Sequence, residues 1–122
     1  MLKNYFVLKE EARYLDSALQ GFCIKEVFTQ EKNKFVMCFC DNGNSELKYL
    51  EFSCDSTLPY LILKQNFSKA KKNTVNLFDE IYDLKIECIG LFKDDRIINF
   101  NLSNSINIYF FFLYRENKFF YL

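Results

Sequence analysis

Apolar side chains recur at intervals of three and four near the start of the chain, which is the spacing of one helix face. The residues at this spacing are Leu8, Ala12, Leu15, Leu19 and Phe22. Gly21 stands where a left-handed residue commonly ends a helix. Charged residues occupy the opposite face, which we interpret as the solvated side; they are Lys9, Glu10, Arg13 and Asp16. The pattern predicts a helix over residues 5–20.

From Cys23 onward apolar and polar residues alternate, which is typical of strands that bury one face. The alternation predicts strands at residues 24–28, 35–39, 47–52 and 60–63, and again at 83–91, 96–102, 106–113 and 118–122. Short polar segments between them, such as Asp41-Asn42-Gly43-Asn44, contain residues that favour turns. We therefore expect an α+β fold in which one N-terminal helix packs on two successive groups of antiparallel strands.

Residues 64–78 interrupt the alternation and predict a long connection that ends in a short helical turn at 76–78. The connection contains no acidic residue before Asp79. Its lysines are Lys64, Lys69, Lys71 and Lys72. Ammonium groups without counter-charges attract anions, and the side chains of Asn73 and Thr74 could add phosphate contacts. A solvated surface loop is the other interpretation of the same residues.

A second candidate site is the turn Asp94-Asp95-Arg96, directly before a predicted strand. A guanidinium orients a neighbouring carboxylate through paired hydrogen bonds. Asp95 could then contact a ribose hydroxyl while Arg96 holds a phosphate. The alternative is an ordinary polar hairpin turn, because aspartate is common in turns.

Composition narrows the class of protein. Half of the 122 residues are apolar, including 15 Phe and 8 Tyr, which predicts one domain over residues 1–122 with a substantial core. Sixteen basic residues balance sixteen acidic ones, which argues against nucleic-acid binding through bulk charge. The chain has no histidine, so histidine-based catalytic and metal sites are excluded. We expect neither an enzyme nor a bound cofactor.

Five scattered cysteines form a poor disulfide framework, and we expect them to be core thiols in a reducing cytoplasm. Cys38 and Cys40 would share one strand face, yet no second pair with zinc-ligand spacing accompanies them. The first residues lack the pattern of a signal peptide. The longest aromatic run, residues 108–114, is far shorter than the ~20 residues of a membrane span. We therefore expect a cytoplasmic chain with no metal site and no membrane partner.

Three segments carry a resemblance to a known family. They are residues 19–21, residues 27–33 with the pattern F-x-Q-x-K, and residues 67–78, which contain A-K-K-N-T-V-N-L-F. The last is similar to the A-R-K-N-S-x-D-L-F of the NFACT family. Bacterial members of that family include ribosome-associated quality-control factors and proteins known as fibronectin-binding protein A. Over nearly its whole length the chain resembles the N-terminal domain of this family.

The resemblance implies a fold, a set of partners and a site. The fold would be similar to the N-terminal domain of formamidopyrimidine-DNA glycosylases. The function would be non-enzymatic: binding tRNA and, through the full-length protein, the large ribosomal subunit, in support of C-terminal tailing of stalled nascent chains. The family's functional Asp-Arg pair corresponds to Asp95 and Arg96. The other expected RNA-binding residues are Lys69, Lys71, Lys72 and Asn73. We expect residues 1–122 to be the first part of a longer factor with no DNA partner.

The chain departs from these patterns at several positions. Asn4 stands where a second functional aspartate falls, and residues 114–117 replace a family glycine. Met1-Leu2-Lys3 lacks the N-terminal proline nucleophile of the glycosylases, so glycosylase activity is not expected. One rival hypothesis is a protein-interaction or scaffolding domain whose interface is the Phe-rich segment 108–122. Another is an enzyme that uses Asp94 and Asp95, although nothing supplies a nucleophile for it.

Overall fold

One helix and nine strands form the domain in the computed structural model, which describes residues 5–43, 45–53, 60–92, 96–112 and 117–121. For Tyr5 and for 117–121 the description covers the backbone. The helix α1 spans Tyr5–Leu19. The strands are β1 (Cys23–Thr29), β2 (Lys34–Cys40), β3 (Leu47–Ser53), β4 (Tyr60–Lys64), β5 (Val75–Asn76), β6 (Ile86–Leu91), β7 (Ile97–Leu102), β8 (Asn107–Phe112) and β9 (Asn117–Tyr121). Two short 3-10 helices occur at Asp79–Ile81 and Ser103–Ser105.

The strands form two antiparallel sheets. The first sheet has the order β4-β3-β2-β1-β5, and the second has the order β6-β7-β8-β9. An isolated bridge between Cys23 and Lys85 joins them at one corner. The predicted α+β fold, with one N-terminal helix on two successive antiparallel groups, is confirmed. The addition is β5, a short strand in the first sheet that comes from residues 64–78, the lysine-rich segment that we call the basic connection.

A shared apolar core lies where the two sheets and the helix meet. The helix contributes Leu8, Ala12, Leu15 and Leu19, all buried. Aromatic rings join the sheets: the centroids of Phe52 in the first sheet and Phe110 in the second are 5.0 Å apart, and Phe35 packs beside Phe52 within the first sheet at 5.3 Å. Phe110 also contacts Phe100 within the second sheet, at 5.1 Å. The helix spacing and the strand alternation therefore identify the core side chains correctly.

The end of the helix is fastened to the second sheet by backbone hydrogen bonds. Gly21 has a φ of +86°, which confirms the predicted left-handed residue at this point. Its N–H donates to the carbonyl of Ile86 at 2.9 Å, and the N–H of Ile86 donates to the carbonyl of Phe22 at 2.8 Å. The chain can turn directly from α1 into β1 because glycine adopts this backbone conformation without strain.

The interpretation of Asp16 as part of a solvated helix face is wrong. Asp16 is half-buried, and its Oδ1 accepts the backbone N–H of Ile89 at 2.8 Å. Gln20 Nε2 donates to the carbonyl of Glu87 at 3.1 Å. Because β6 is an edge strand, these side chains satisfy peptide groups that no neighbouring strand pairs. The helix therefore closes one edge of the second sheet.

The predicted helical turn at 76–78 is also wrong. Val75 and Asn76 pair with Thr29 and Phe28 as β5, and the N–H of Leu77 extends the pairing by donating to the carbonyl of Val27 at 2.8 Å. The 3-10 helix begins only at Asp79. The edge of β1 that faces away from β2 has backbone N–H and C=O groups that need hydrogen-bond partners. Pairing with this edge stabilises an extended conformation at 75–77, although the local sequence shows no strand pattern there. The predicted strand 83–91 begins later, at Ile86.

The cysteines follow the core prediction only in part. Cys38 and Cys40 are buried, as expected, whereas Cys88 is exposed and Cys54 lies outside the described residues. Within the described ranges, no cluster of three or more cysteine and carboxylate side chains could hold a metal ion. In the same part of the chain, no helix has the length and apolar character needed to cross a bilayer.

Leu15→Ala tests the packing of α1 on the sheets. Leu15 is fully buried, so the substitution removes apolar contacts and leaves a cavity; we expect a loss of about 2–5 kcal/mol in the free energy of unfolding. Urea denaturation followed by circular dichroism measures it. The control is Arg13→Ala, which breaks an exposed ion pair with Glu10 and should cost less than about 1 kcal/mol. Equal effects of the two substitutions would contradict this account of the core.

Candidate nucleic-acid interface

The basic connection lies against the outer face of the first sheet, the side turned away from the core. This face carries Phe28, Cys38 and Tyr49. The ring of Phe67 covers it, with centroids 5.8 Å from Phe28 and 5.9 Å from Tyr49. Phe28 is fully buried although Val27 beside it faces the core, so the connection shields an apolar residue that the sheet would otherwise expose. Phe67 is therefore the anchor of the connection.

Lys69 is held by the fold itself. Its Nζ lies 2.9 Å from Glu26 Oε1 and 4.6 Å from the centroid of the Phe28 ring. A carboxylate and an aromatic face both attract an ammonium group. The positive charge predicted to bind phosphate at this position is thus largely balanced by Glu26. Lys69 positions the connection on the sheet.

Lys64 is also paired. Its Nζ lies 3.2 Å from Oε1 of Glu51, a residue only 8% exposed, and Tyr60 donates its hydroxyl hydrogen to the other carboxylate oxygen. Burial and the neighbouring Glu51 both raise the pKa of Tyr60. A buried carboxylate requires such partners, because leaving water without them costs several kcal/mol. Lys64 therefore belongs to a structural cluster at the start of the connection.

Lys71 and Lys72 are placed differently. Residues 70–73, which we call the basic turn, include backbone bends at 71–73, and the side chains of Lys71, Lys72 and Asn73 are exposed. The turn is fixed at its start, where the N–H of Ala70 donates to Oε1 of Gln30 at 2.9 Å, and Asn73 has a φ of 62°. Asparagine tolerates this left-handed conformation better than most residues. Among the described residues, no salt bridge involves either lysine of this turn.

The Asp-Arg candidate lies elsewhere. Asp94 and Asp95 fall outside the described residues, so their predicted roles stay predictions. Arg96 is exposed and directly precedes β7, where its carbonyl accepts the N–H of Phe112 at 2.8 Å. Arg96 belongs to the second sheet, whereas the basic turn lies beside the outer face of the first. The two candidate regions are therefore carried by different sheets.

An apolar patch on α1 was missed by the sequence analysis. Phe6 and Tyr14 are 75% and 55% exposed, and they line one open depression with Val7, Glu10 and Glu11. We call these five residues the helix patch. Desolvation raises the pKa of Glu11. Phe6 and Tyr14 are eight residues apart, about two helical turns, so their spacing places them on one side of the helix. The sequence pattern of the buried face is stronger, and it alone was used to orient the helix.

Phe67→Ala tests whether Phe67 anchors the connection. Removing the ring should let residues 65–74 open more often, because both ring contacts are lost; we expect trypsin to cleave after Lys69, Lys71 or Lys72 roughly 10-fold faster. Limited proteolysis with mass spectrometry identifies the sites. Phe6→Ala removes the same side chain from an exposed helix position and serves as the control. Unchanged cleavage in Phe67→Ala would contradict the anchoring role.

Comparison with known proteins places the fold. No family model and no curated protein matches the sequence. Solved structures do match. The N-terminal domain of fibronectin-binding protein PavA from Streptococcus pneumoniae has a TM-score of 0.79 at 16% identity, over 96% of this chain and 50% of that chain. The N-terminal part of the fibronectin/fibrinogen-binding protein from Streptococcus suis has a TM-score of 0.78 at 20% identity, over 96% and 48%.

The fibrinogen-binding protein from Staphylococcus aureus has a TM-score of 0.79 at 13% identity, over 100% of this chain and 47% of that chain. The chain spans about half the length of the structures it matches. At these identities the likeness concerns the fold. One N-terminal helix on antiparallel sheets is the architecture that this chain shares with the N-terminal domains of fibronectin-binding proteins.

Proposed function

We propose that this domain is a non-enzymatic RNA-binding module of a ribosome-associated quality-control factor. In that role it contacts tRNA in the cytoplasm and, within a longer protein, the large ribosomal subunit, and so supports C-terminal tailing of stalled nascent chains. The observation that carries the proposal is the basic turn, where Lys71 and Lys72 project from a segment that contains no acidic residue. The resemblance of A-K-K-N-T-V-N-L-F to the NFACT motif is the reason for proposing tRNA as the RNA that binds.

The distribution of charge supports phosphate binding although the net charge is zero. Lys64 and Lys69 are held by Glu51 and Glu26, so the connection is ordered before a ligand arrives. Lys71 and Lys72 then present two ammonium groups from a fixed turn. An ordered site loses less conformational entropy on binding than a flexible lysine tail does. Phosphate contacts of this kind determine affinity and position on RNA.

Asp95 and Arg96 complete the proposed interface as a second contact. Arg96 is exposed on the second sheet, and a guanidinium binds phosphate oxygens in pairs. Asp95 would orient Arg96 or accept a ribose hydroxyl. Because the basic turn is carried by the first sheet, the two contacts would engage separate phosphates of a folded RNA. The ammonium groups of the two lysines, the amide of Asn73 and the guanidinium of Arg96 can bind phosphates, but none of them is a nucleophile or a general base here. We therefore propose that the domain binds RNA and does not catalyse a reaction.

A double substitution, Lys71→Ala with Lys72→Ala, tests the proposed interface. We expect affinity for a tRNA transcript to fall roughly 10-fold, and the slope of log affinity against log salt to become shallower by about 1.5, as expected for two lost phosphate contacts. Fluorescence anisotropy at several salt concentrations measures both quantities. Arg96→Ala should lower the affinity as well.

The control is the double substitution Lys9→Ala with Lys85→Ala, which changes the net charge by the same amount at exposed positions outside the connection. Unchanged tRNA binding by the Lys71, Lys72 and Arg96 variants at low salt would overturn the proposal. An equal loss in the control would show that bulk charge, and no particular site, attracts the RNA.

Protein binding is the second candidate function, and the helix patch favours it. The matched structures come from proteins named for binding fibronectin or fibrinogen. In the expected interface on the segment 108–122, Ile108, Phe110 and Phe112 of β8 are buried in the core, whereas Tyr109 and Phe111 are half-buried. Phe6 and Tyr14, by contrast, are 75% and 55% exposed, and aromatic side chains are enriched in protein interfaces.

Phe6→Ser with Tyr14→Ser tests this second function. If the helix patch binds protein, the double variant should lose binding to immobilised fibronectin, or a concentration-dependent dimer seen by gel filtration, because its apolar contact area is removed. Binding to tRNA should be unaffected. The Lys71→Ala with Lys72→Ala variant is the reciprocal control. A wild-type chain that stays monomeric and binds no fibronectin would exclude these two uses of the patch.

A further inference from the structure

Two cysteines lie directly opposite each other on neighbouring strands. Cys23 is the first residue of β1, Cys40 is the last residue of β2, and they are partners in the antiparallel register. Opposed residues of an antiparallel pair project to the same side of the sheet. The residues next to them, Ile24 and Phe39, are fully buried in the core, so both thiols lie on the outer face. Both are free cysteines in this structure.

The backbone pattern defines the distance between the two strands at this pair. The N–H of Ile24 donates to Leu84, and the carbonyl of Phe22 accepts from Ile86, so the peptide groups of Cys23 itself point toward β2. Cys23 and Cys40 therefore form a hydrogen-bonded pair, for which the Cα–Cα separation is about 5.5 Å. Disulfides most often span about 5.5–6 Å between Cα atoms.

The sheet also allows the small movement that a disulfide requires. The Cβ atoms of such a pair must approach by about 1–2 Å to reach the usual disulfide spacing. Both residues stand at strand ends, and a register shift between Ile24 and Glu26 marks a bulge beside Cys23. Bulges increase the local twist of a strand pair, and strand ends are less constrained than strand centres.

The remaining described cysteines are not positioned for the same bond. Cys38 shares the outer face but stands two residues along β2 from Cys40, so a diagonal partner lies about 7–8 Å away. Cys88 belongs to β6 in the second sheet, where Asn101 Nδ2 contacts its Sγ at 2.8 Å. Among the described cysteines, Cys23 and Cys40 are therefore the two whose positions allow a disulfide.

We propose that Cys23 and Cys40 are a reversible redox modification site, which closes to a disulfide at the corner where the two sheets meet. The thiolate of Cys23, which is half-buried, attacks one sulfur of a low-molecular-weight disulfide such as oxidised glutathione and releases one glutathione thiol. Cys40 then attacks the sulfur of Cys23 and releases the second glutathione. Two protein thiols are oxidised, one glutathione disulfide is reduced, and the two protons leave on the two glutathione thiols.

The order of these steps follows from accessibility. Cys40 is 8% exposed, and burial together with the nearby Cys23 raises the pKa of its thiol. Cys40 is thus a poor first nucleophile toward a bulky oxidant, yet it needs no solvent access to attack a neighbouring sulfur. Cys23 also pairs with Lys85 through the isolated backbone bridge between the two sheets. A disulfide between Cys23 and Cys40 would therefore stabilise the place where the sheets meet. Closing the loop between residues 23 and 40 restricts the unfolded chain and should raise the Tm.

Mass spectrometry of the folded 122-residue chain, treated with oxidised glutathione and then alkylated, tests the proposal. We expect the Cys23–Cys40 bond to remove about 2 Da and to leave the chain with two fewer alkyl groups than the reduced, alkylated chain. We also expect a peptide crosslinked between Cys23 and Cys40, a Tm higher by roughly 10 °C, and full reversal by dithiothreitol. Cys38→Ala should form the same crosslink. In Cys40→Ala, Cys23 should stop at its glutathione adduct and form no crosslink.

Several outcomes would overturn the proposal. One is a stable glutathione adduct on Cys23 in the wild-type chain with no crosslink. Another is a crosslink that involves Cys88 or Cys38 in place of the opposed pair. If Cys40→Ala fails to fold, Cys23→Ser provides the second test, because Cys40 should then stay unmodified under the same treatment.

Discussion

The apolar layer between the two sheets determines where every other part of this domain lies. Each antiparallel sheet has one face of large apolar side chains, and neither is stable in water with that face exposed. The rings of Phe52 and Phe110, with centroids 5.0 Å apart, are in contact where the two apolar faces meet. Helix α1 completes the layer with Leu8 and Leu15. The stability of the fold depends on burying these groups together.

The outer face of the first sheet follows the same physical rule and leads to the candidate site. Phe28 points away from the core, so it needs a second cover, and Phe67 supplies it. The segment that carries Phe67 is the basic connection, whose lysines would otherwise belong to an unattached loop. Two of them are paired with Glu51 and Glu26, and the chain then bends at Lys71 and Lys72, whose side chains are exposed. The need to cover Phe28 thus determines where the charged surface of the basic turn lies.

The candidate surfaces are separated by the architecture. The basic turn stands beside the first sheet, Arg96 stands on the second, and the helix patch lies on the solvent side of α1. A folded RNA has phosphates over a wide area, so it can reach more than one of the basic positions. The exposed aromatic side chains of the helix patch suit a protein partner, and its two carboxylates would repel a phosphate backbone. RNA and protein binding on one domain are therefore compatible.

The sequence by itself determined the elements and most of the core. Helical spacing identified Leu8 to Leu19, and alternation identified the principal strands, because these periodicities follow from backbone geometry alone. It also marked the basic connection as a charged segment. Tertiary structure decided which lysines are available, because Glu26 and Glu51 lie 43 and 13 residues away from their partners in the chain. Tertiary structure also placed Asp16 where it accepts a hydrogen bond from the edge strand β6, and it brought Cys23 opposite Cys40. Pairing between distant residues depends on how the sheets register and meet, and local pattern contains no information about that.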